Sequence, residues 1–396
     1  MKNLISKKIL SLALLGATTS LFALYAEQAS LYKDPRIMGM GGANVAVGAY
    51  STAVFSNPAG LANIKKEHGF VFDLLNVGVS ATAEVQQFID DMDSVDTSAA
   101  DGGASDMLAV LQQYNGQPFH LGVDNYTSLS KNSDGIAWSI GILAATDANY
   151  MSHTNGGTDV LVTSSRGYGG AVVGFAKPYE TEFGRLDIGI SAKYISLQSY
   201  EGGLTINDLL SDDVQATLQN KFEKKATGFG VDLGVNYHPW VDSYWHPAIG
   251  FSVMDIGTMD MDGIYGGQPT TLNIGFSITP ELPILDKFVL AVDYVDLLEA
   301  NKLRLYDTSS DPVTWVDYDV SDPMKKLRLG VQAGVLDTWL LSLALSGGLY
   351  QGAYTAGVNM ELFIFKINAT TYQEDIGTAD NSVADRRYMA QIGIGW

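Results

Sequence analysis

The chain ends in Tyr388-Met389-Ala390-Gln391-Ile392-Gly393-Ile394-Gly395-Trp396, where large apolar side chains alternate with small or polar ones. Side chains of an extended strand point alternately to its two faces, so the pattern predicts a strand with one apolar and one polar face. An apolar strand at an open sheet edge promotes aggregation. A closed barrel in a membrane has no open edge and surrounds its apolar face with lipid. We therefore expect the last strand of a transmembrane β-barrel, with the last strand of a soluble sheet as the alternative.

The same ending resembles the terminal signature of bacterial outer-membrane barrels, which finish on an aromatic residue. The resemblance implies that the barrel-assembly machinery reads this strand. By that resemblance the assembly signal consists of Tyr388, Ile392, Ile394 and Trp396. The implied partners are this machinery and the outer-membrane lipids of a Gram-negative cell.

The beginning of the chain has the layout of a secretory signal peptide. Lys2, Lys7 and Lys8 precede an apolar run, and the small residues around Ala26 offer a cleavage site. A permanent membrane anchor is the competing interpretation, but the run is short for a spanning helix. We expect residues 1–26 to be removed on export.

The composition agrees with an exported barrel. Hydrophobic residues make up 46% of the chain, and after the first apolar run they are spread as alternation, which is typical of membrane barrels. The 42 glycines and 20 tyrosines suit narrow lumen positions and interfacial girdles. The absence of cysteine excludes disulfides and cysteine-based metal sites. A formal charge of −20 argues against nucleic-acid binding, which needs a cationic surface.

Several segments repeat the two-faced pattern. They are residues 136–142, 187–194, 229–237, 272–278 and 327–334. Their second face carries charged and amide side chains, and a Lys or Arg facing lipid at the bilayer midplane would cost ~2–4 kcal/mol. We therefore expect this face to line the barrel interior. The predicted lumen-lining residues are Asp187, Lys193, Asp232, Asn236, Asn273, Asp293, Arg328, Gln332 and Glu361.

The barrel is expected to occupy residues 67–396. About 12 to 15 candidate segments fall in this range, and single-chain bacterial barrels have even strand numbers, so 12 or 14 strands are expected. Weak candidates lie near Phe119 and Leu303. Helical spacing from Val85 to Tyr114 and from Leu210 to Phe222 predicts helices in loops at the extracellular rim. A polar, acidic insertion at residues 299–325 is expected to be a third long loop. The fold class is thus all-β, an antiparallel barrel with helical loop insertions.

Residues 27–66 precede the first predicted strand and are too irregular to span a membrane. They contain Gly39, Gly41 and Gly42, and they end in the tight turn Asn57-Pro58-Ala59-Gly60. Such a compact, glycine-rich piece is suited to fold inside a barrel as a plug. The glycine spacing does not match a dinucleotide-binding fingerprint, and no βαβ unit follows.

This segment resembles the N-terminal hatch of the FadL-like outer-membrane proteins, the long-chain fatty-acid transporter family. The resemblance is closer to the branch called TraF-like, after conjugal transfer, and C-terminal motifs support it. These are Leu327-Arg328-Leu329-Gly330, Gly348-Leu349-Tyr350-Gln351-Gly352 and Arg386-Arg387-Tyr388. The family implies 14 strands, a hatch in the lumen, and passage of apolar molecules toward a lateral opening. It assigns hatch and gating roles to Gly39, Gly41, Gly42, Asn57, Pro58, Ala59 and Gly60.

Two functions from different classes follow from these patterns. One is a passive channel for hydrophobic, fatty-acid-like molecules, gated by the hatch. The alternative is a structural or secretion-linked barrel that carries no small molecule. A hydrolase is not expected, because Gly-x-Ser-x-Gly and His-Glu-x-x-His motifs are missing. The acidic runs lack the spacing of a calcium loop, so we expect no metal site and no cofactor.

Overall fold

A computed structural model describes residues 24–66, 69–99, 101–133, 135–154, 159–211, 213–285, 287–307, 314–377 and 382–395. The strands are β1 Leu24–Ala26, β2 Phe70–Thr82, β3 Phe119–Ser133, β4 Ile136–Ser152, β5 Asp159–Thr181, β6 Gly184–Thr205, β7 Glu223–Pro239, β8 Ala248–Gly257, β9 Thr271–Ile278, β10 Lys287–Tyr294, β11 Lys302–Asp307, β12 Thr314–Asp319, β13 Leu327–Asp337, β14 Leu341–Tyr350, β15 Ala353–Leu362, β16 Phe365–Asp375 and β17 Ala384–Gly395.

The helices are short. The α-helices are α1 Pro35–Gly39, α2 Val85–Asp93, α3 Ala104–Gln113, α4 Ile206–Leu209 and α5 Val214–Phe222, and the 3-10 helices are Ser51–Phe55, Pro58–Asn63, Met261–Gly263 and Pro323–Lys325. Among the helices of the described ranges, none has the length and apolar character needed to cross a membrane.

Fourteen strands close into an antiparallel barrel. Strands β2 to β10 pair in sequence order, β10 continues to β13, and β17 returns to β2. The predicted fold class and the higher of the two expected strand numbers are therefore confirmed. The final strand β17 pairs with β16 on one edge and with β2 on the other. Its backbone hydrogen-bonding groups are thus used on both sides, as expected for a terminal apolar strand.

The strands have an apolar outer face and a polar inner face. In β7, Phe229 and Leu233 are 51% and 47% exposed, whereas Asp232 between them is fully buried. In β17, Tyr388 and Ile392 are 53% and 60% exposed, while Trp396 lies outside the described residues. The outer face therefore forms an apolar belt that suits lipid, and the polar residues face the lumen.

The two ends of the barrel differ in their connections. Residues 182–183 and 363–364 make tight turns at one end, called the short-turn end below. The long connections that follow β2, β6 and β10 lie at the other, called the long-loop end. Outer-membrane barrels have short periplasmic turns and long extracellular loops, so the long-loop end faces the cell exterior.

The helical insertions lie at the long-loop end, as predicted, with one correction. The spacing of Leu210, Val214, Leu218 and Phe222 predicted a helix, and the structure has this helix as α5, which begins at Val214 and not at Leu210. Helix α4 ends before it at Leu209, and Asp213 caps α5 by accepting a hydrogen bond from the Ala216 N–H at 2.9 Å. A capping aspartate starts a new helix more readily than it continues an old one.

The segment near Leu303 is not a barrel strand. It belongs to β11, which pairs with β12 and with β1 in a separate three-stranded sheet at the long-loop end. Its neighbours Lys302 and Arg304 form ion pairs with Asp319 and Glu201. Leu303 itself is buried, so protein and not lipid covers it. The acidic insertion is therefore partly a β-hairpin. Strand β1 coincides with the last residues of the predicted signal peptide, the rest of which lies outside the described residues.

Candidate functional site: the segment inside the barrel

Residues 27–66, called the lumenal segment below, lie inside the barrel. Near the long-loop end Glu27 forms ion pairs with Arg166 on β5 and Arg387 on β17. Near the short-turn end Asn63 accepts a hydrogen bond from Arg185 at the start of β6. The segment therefore runs through the lumen from one end to the other. The bounds of a hatch domain at 27 and 66 stay a prediction.

Buried ion pairs hold the part of the lumenal segment that lies near the long-loop end. Arg166 also pairs with Asp147 at 2.8 Å, and Lys33 lies 3.8 Å from Glu27. Burial raises the pKa of the Glu27 carboxyl, but Arg387, Lys33 and Arg166 outweigh the burial and hold this pKa well below its usual range. Glu27 is thus an anion that keeps three cations together, and leaving any of them unpaired would be costly.

Helix α1 begins where local chemistry favours a helix start. Asp34 is the N-cap, and Pro35 occupies the first turn. The Asp34 carboxylate accepts hydrogen bonds from the Arg36 backbone N–H at 2.9 Å and from the Thr52 hydroxyl at 2.7 Å. The Arg36 guanidinium pairs with the same carboxylate at 2.6 Å. These contacts tie two parts of the segment to each other without the barrel wall.

The predicted hatch glycines lie where the segment touches strands β13 to β15. Gly41 and Gly42 have φ angles of 65° and 79°, a region that favours glycine. A Cβ on Gly41 would also collide with the carbonyl oxygens of Leu329 and Leu349. Gly39 ends α1, and a Cβ there would lie 3.1 Å from the Gly357 Cα. The glycines therefore allow both the sharp turn and close backbone contact.

The turn Asn57-Pro58-Ala59-Gly60 packs against β6 and β7. The Asn57 side chain caps the 3-10 helix by accepting from the Ala59 N–H at 3.1 Å, and it donates to the Val45 carbonyl at 2.7 Å. The side-chain amides of Asn57 and Asn236 lie 2.8 Å apart. Gly60 touches Gly48, so this turn also closes the segment on itself.

Glycines on the inner wall let the lumenal segment contact wall backbone directly. A Cβ on any of them would press on an atom of the segment. They are Gly174, Gly189, Gly234, Gly250, Gly275, Gly330, Gly348 and Gly357. The sequence shows each of these glycines on the polar face of a two-faced strand. It did not predict that they all contact the lumenal segment.

The predicted lumen-lining residues divide into three groups. Asp293, Asn236 and Gln332 contact the lumenal segment. Others pair within the wall: Lys193 with Asp232 at 2.9 Å, and Asp187 with Arg185 at 2.8 Å. The remaining three residues belong to neither of these groups. Asn273 donates to Ser252, Arg328 covers the Tyr350 ring, and Glu361 is exposed near the turn between β15 and β16.

Sequence patterns missed several charged partners. Asp73 on β2 pairs with Lys366 at 2.7 Å and accepts from the Ser51 hydroxyl at 2.7 Å. Asp255 pairs with Lys193 at 2.6 Å, and Lys33 of the lumenal segment pairs with Glu374. Alternation gives the face on which a side chain lies, but only barrel closure brings such distant positions together.

The structure also holds a serine–histidine contact that the sequence did not indicate. The Ser80 Oγ lies 2.7 Å from His120 Nε2, and His120 Nδ1 lies 2.8 Å from Asn149 Oδ1. This order of groups is that of a nucleophile with its base. Ser80 is only 5% exposed, however, and lies against Gly122. The cavity beside Asn149 has a volume of about 20 Å³, enough for one water molecule but not for a substrate. We interpret the contact as structural.

Metal binding finds no support in the described ranges. Among these residues, no group of three or more His, Cys, Asp or Glu side chains is arranged to hold a metal ion.

An apolar cluster covers the long-loop end. Phe88, Leu111, Leu161 and Leu209 are almost fully buried in it, and its members come mainly from helices α2 to α5 and from the ends of strands β3 to β6. The Phe88 ring lies 5.3 Å from Tyr114 and 5.0 Å from Phe119, measured between centroids. The apolar faces of the helices thus pack on each other and on the barrel mouth.

Two cavities lie between the lumenal segment and the wall formed by β8, β9 and β10. The cavity nearer the long-loop end, called the upper cavity, has a volume of about 240 Å³. Apolar groups such as Phe55 and Met254 line it together with Lys33 and Arg328. The lower cavity, of about 290 Å³, opens near the short-turn end. Its lining includes Ala46, Val47, Arg185, His238, Ala248 and Lys287.

Comparisons with known proteins agree with this architecture. The family model described as "F plasmid transfer operon, TraF, protein" matches residues 54–265, over half of the chain. The toluene transporter TodX of Pseudomonas putida superposes with a TM-score of 0.50 at 11% identity, covering 93% of this chain and 99% of its own. This likeness shows the fold.

Two further solved structures were found. The toluene transporter TbuX of Ralstonia pickettii has a TM-score of 0.48 at 11% identity, covering 92% of this chain and 98% of its own. A FadL homologue of Pseudomonas aeruginosa has a TM-score of 0.47 at 11% identity, covering 93% and 98%. The comparison with curated proteins gave no match. The chain therefore belongs to the family described as the F plasmid transfer operon TraF protein and is an integral outer-membrane β-barrel.

Proposed function

We propose that this protein is a passive outer-membrane channel for small hydrophobic molecules, closed in this structure, with the lumenal segment as its gate. The observation that carries the proposal is the way the segment is held. It fills the lumen through hydrogen bonds, ion pairs and glycine contacts, all of which are reversible, and it leaves cavities of about 240 and 290 Å³ beside the wall. A permanent plug would need no such space.

The lining of the upper cavity favours an amphiphilic solute. Ile37, Met38 and Phe55 supply apolar surface, and Lys33 and Arg328 add cationic groups beside it. The remaining charged residues of the lining are Asp34, Asp255 and Asp296, of which Asp34 and Asp255 are paired with Arg36 and Lys193. A fatty-acid-like molecule has a matching apolar body and an anionic head. TodX and TbuX are described as toluene transporters. By analogy with them, we propose that the solute of this chain is hydrophobic.

A structural or secretion-linked role is the second candidate. It is favoured by the density of paired charges around Glu27, where Arg166 and Arg387 are almost fully buried, and by the packed apolar cluster over the long-loop end. Both features stabilise a closed barrel and provide no movement of a solute.

Native mass spectrometry of detergent-extracted protein separates the two candidates. A channel is expected to carry a co-purified fatty acid or similar amphiphile, and Asn57→Ala is expected to lose it because the Val45 contact is broken. Asn125→Ala is the matched control, since Asn125 lies on β3 outside the lumen face. Empty wild-type protein, with unchanged uptake of fatty acid in a deletion strain, would favour the structural role.

A further inference from the structure

The upper and lower cavities lie in the same sector of the barrel, one above the other. On β9, Thr271 and Asn273 line the upper cavity and Ser277 lines the lower one. On β8, Met254 lines the upper cavity and Ala248 the lower one. What separates them is the short piece Asn44-Val45-Ala46 of the lumenal segment, called the septum below. Val45 borders the upper cavity, and Ala46 borders the lower.

One wall carboxylate holds the septum. Asp293 Oδ2 on β10 accepts hydrogen bonds from the backbone N–H groups of Asn44 at 2.6 Å and Val45 at 2.7 Å. The Ser277 hydroxyl adds a bond to the Ala46 carbonyl at 3.1 Å. Asp293 is fully buried, so water does not compete for either bond.

The septum is a single layer of backbone against the wall. A Cβ on Gly275 would lie 2.8 Å from the Val45 Cβ and 3.0 Å from the Ala46 nitrogen. A Cβ on Gly250 would press on the Val45 carbonyl. No side-chain layer therefore separates the septum from β8 and β9, and a small displacement would join the cavities.

We propose that the septum is the gate of the channel, that Asp293 is its latch, and that opening joins the two cavities into a route along β8, β9 and β10 toward the short-turn end. This inference rests on the proposed channel function. It places the moving part in three residues, while the Glu27 ion pairs and the Asn63 contact keep the two ends of the segment in place. It also directs the solute through the lumen to the periplasmic side.

The chain has no native cysteine, which allows a direct test. Ala46→Cys with Ser277→Cys replaces the hydrogen bond between these residues by a disulfide that ties the septum to β9. Asp293→Asn weakens the latch because only one of the two side-chain atoms of the amide can accept a hydrogen bond. Gly275→Ala disturbs the same contact from the wall side, since a Cβ there would press on Asp293 Oδ1 as well as on Val45 and Ala46. Asp232→Asn is the matched control, because Asp232 is equally buried but its partners Lys193, Ser191 and Asp255 are all wall residues.

The measurement is the flux of a labelled fatty acid into proteoliposomes that contain each folded variant. We expect Asp293→Asn and Gly275→Ala to raise the flux roughly tenfold, as the loss of one buried hydrogen bond implies. Asp232→Asn should leave it at the wild-type value. The oxidised cysteine pair should abolish the flux in the Asp293→Asn background, and reduction should restore it.

Two outcomes overturn the inference in distinguishable ways. Flux that survives oxidation of the cysteine pair shows that the solute takes another route, while the channel function itself stands. No flux above protein-free liposomes for the wild type, Asp293→Asn and Gly275→Ala alike removes the channel function and the septum with it.

Discussion

Glu27 fixes the upper end of the lumenal segment because one carboxylate bridges two buried arginines, Arg166 and Arg387. In Glu27→Gln both guanidinium groups lose an anionic partner in a buried site, which costs about 3 kcal/mol. We expect faster hydrogen exchange at the backbone amides of residues 28–34, measured by mass spectrometry. Asp319→Asn, which breaks the exposed pair with Lys302, is the control and should leave these amides unchanged.

The same carboxylate predicts a pH dependence. The pKa of Glu27 is held well below its usual range, so its contribution to stability is complete above the unfolded-state pKa of about 4.3 and is lost as the pH falls through the lower folded-state pKa. We expect exchange in residues 28–34, corrected for the intrinsic chemical rate, to stay constant between about pH 5 and 7 and to increase only below about pH 4. An increase that begins above pH 5 would contradict the assignment.

At the scale of residues, the sequence predicted which face a side chain takes but not its partner. Asp293 was predicted to line the lumen. Its contact with Asn44 joins positions 249 residues apart, and no local pattern encodes such a pairing. The contact between Ser80 and His120 likewise joins residues that are distant in the sequence. The glycines at 189, 234 and 275 were visible as small members of the polar face, but their use as contact points depends on the segment that packs there.

At the scale of elements, strands and lumenal segment fit together through the wall glycines. A Cβ in Gly234→Ala would collide with Asn57 Oδ1 and would lie 2.9 Å from the Pro58 Cδ. Overpacking of this kind costs about 1–3 kcal/mol, so we expect a lower temperature for loss of the compact band in heat-modifiable gel migration. Gly169→Ala on β5 is the control, because a Cβ there has no atom within 4 Å. Equal temperatures for both variants would contradict close packing at Gly234.

Helices α2 to α5 form a cap over the long-loop end, and its apolar cluster includes Phe88. Phe88→Ala removes a buried ring from the contact with Tyr114 and Phe119 and should cost about 3 kcal/mol. We expect limited proteolysis to cut residues 83–118 faster while the barrel stays intact. Gln87→Ala, on the exposed side of the same helix, should not change the cutting rate. Unchanged cutting in Phe88→Ala would show that the cap does not depend on this cluster.

Element prediction succeeded where the hydrophobic period was long and regular. The two-faced strands and the first two loop helices follow from spacing alone. The pattern from Leu210 to Phe222 predicted a helix correctly but placed its start too early, because Asp213 is the N-cap and the helix begins at Val214. Leu303 was counted among the barrel-strand candidates, but its strand pairs with β1 and β12, and its charged neighbours Lys302 and Arg304 pair with Asp319 and Glu201. Both differences come from polar contacts that a hydrophobic pattern does not record.

At the scale of the whole molecule, the fold was predictable because its outer surface faces lipid and its sheet closes into a barrel. A membrane requires every strand to pair, and it sorts polar from apolar side chains more strictly than water does. The family match and the 14 barrel strands agree with that expectation. The cavities, the septum and the solute were not predictable, because they depend on how residues 27–66 pack against distant strands.

Uptake of a labelled long-chain fatty acid by whole cells tests the channel function most directly. The strains to compare are a deletion strain, the same strain carrying the wild-type gene, and the same strain carrying the oxidised Ala46→Cys/Ser277→Cys variant. A gated channel predicts that the wild type restores uptake and the tethered variant does not, at equal amounts of folded barrel in the outer membrane. Uptake that is the same in all three strains would contradict it.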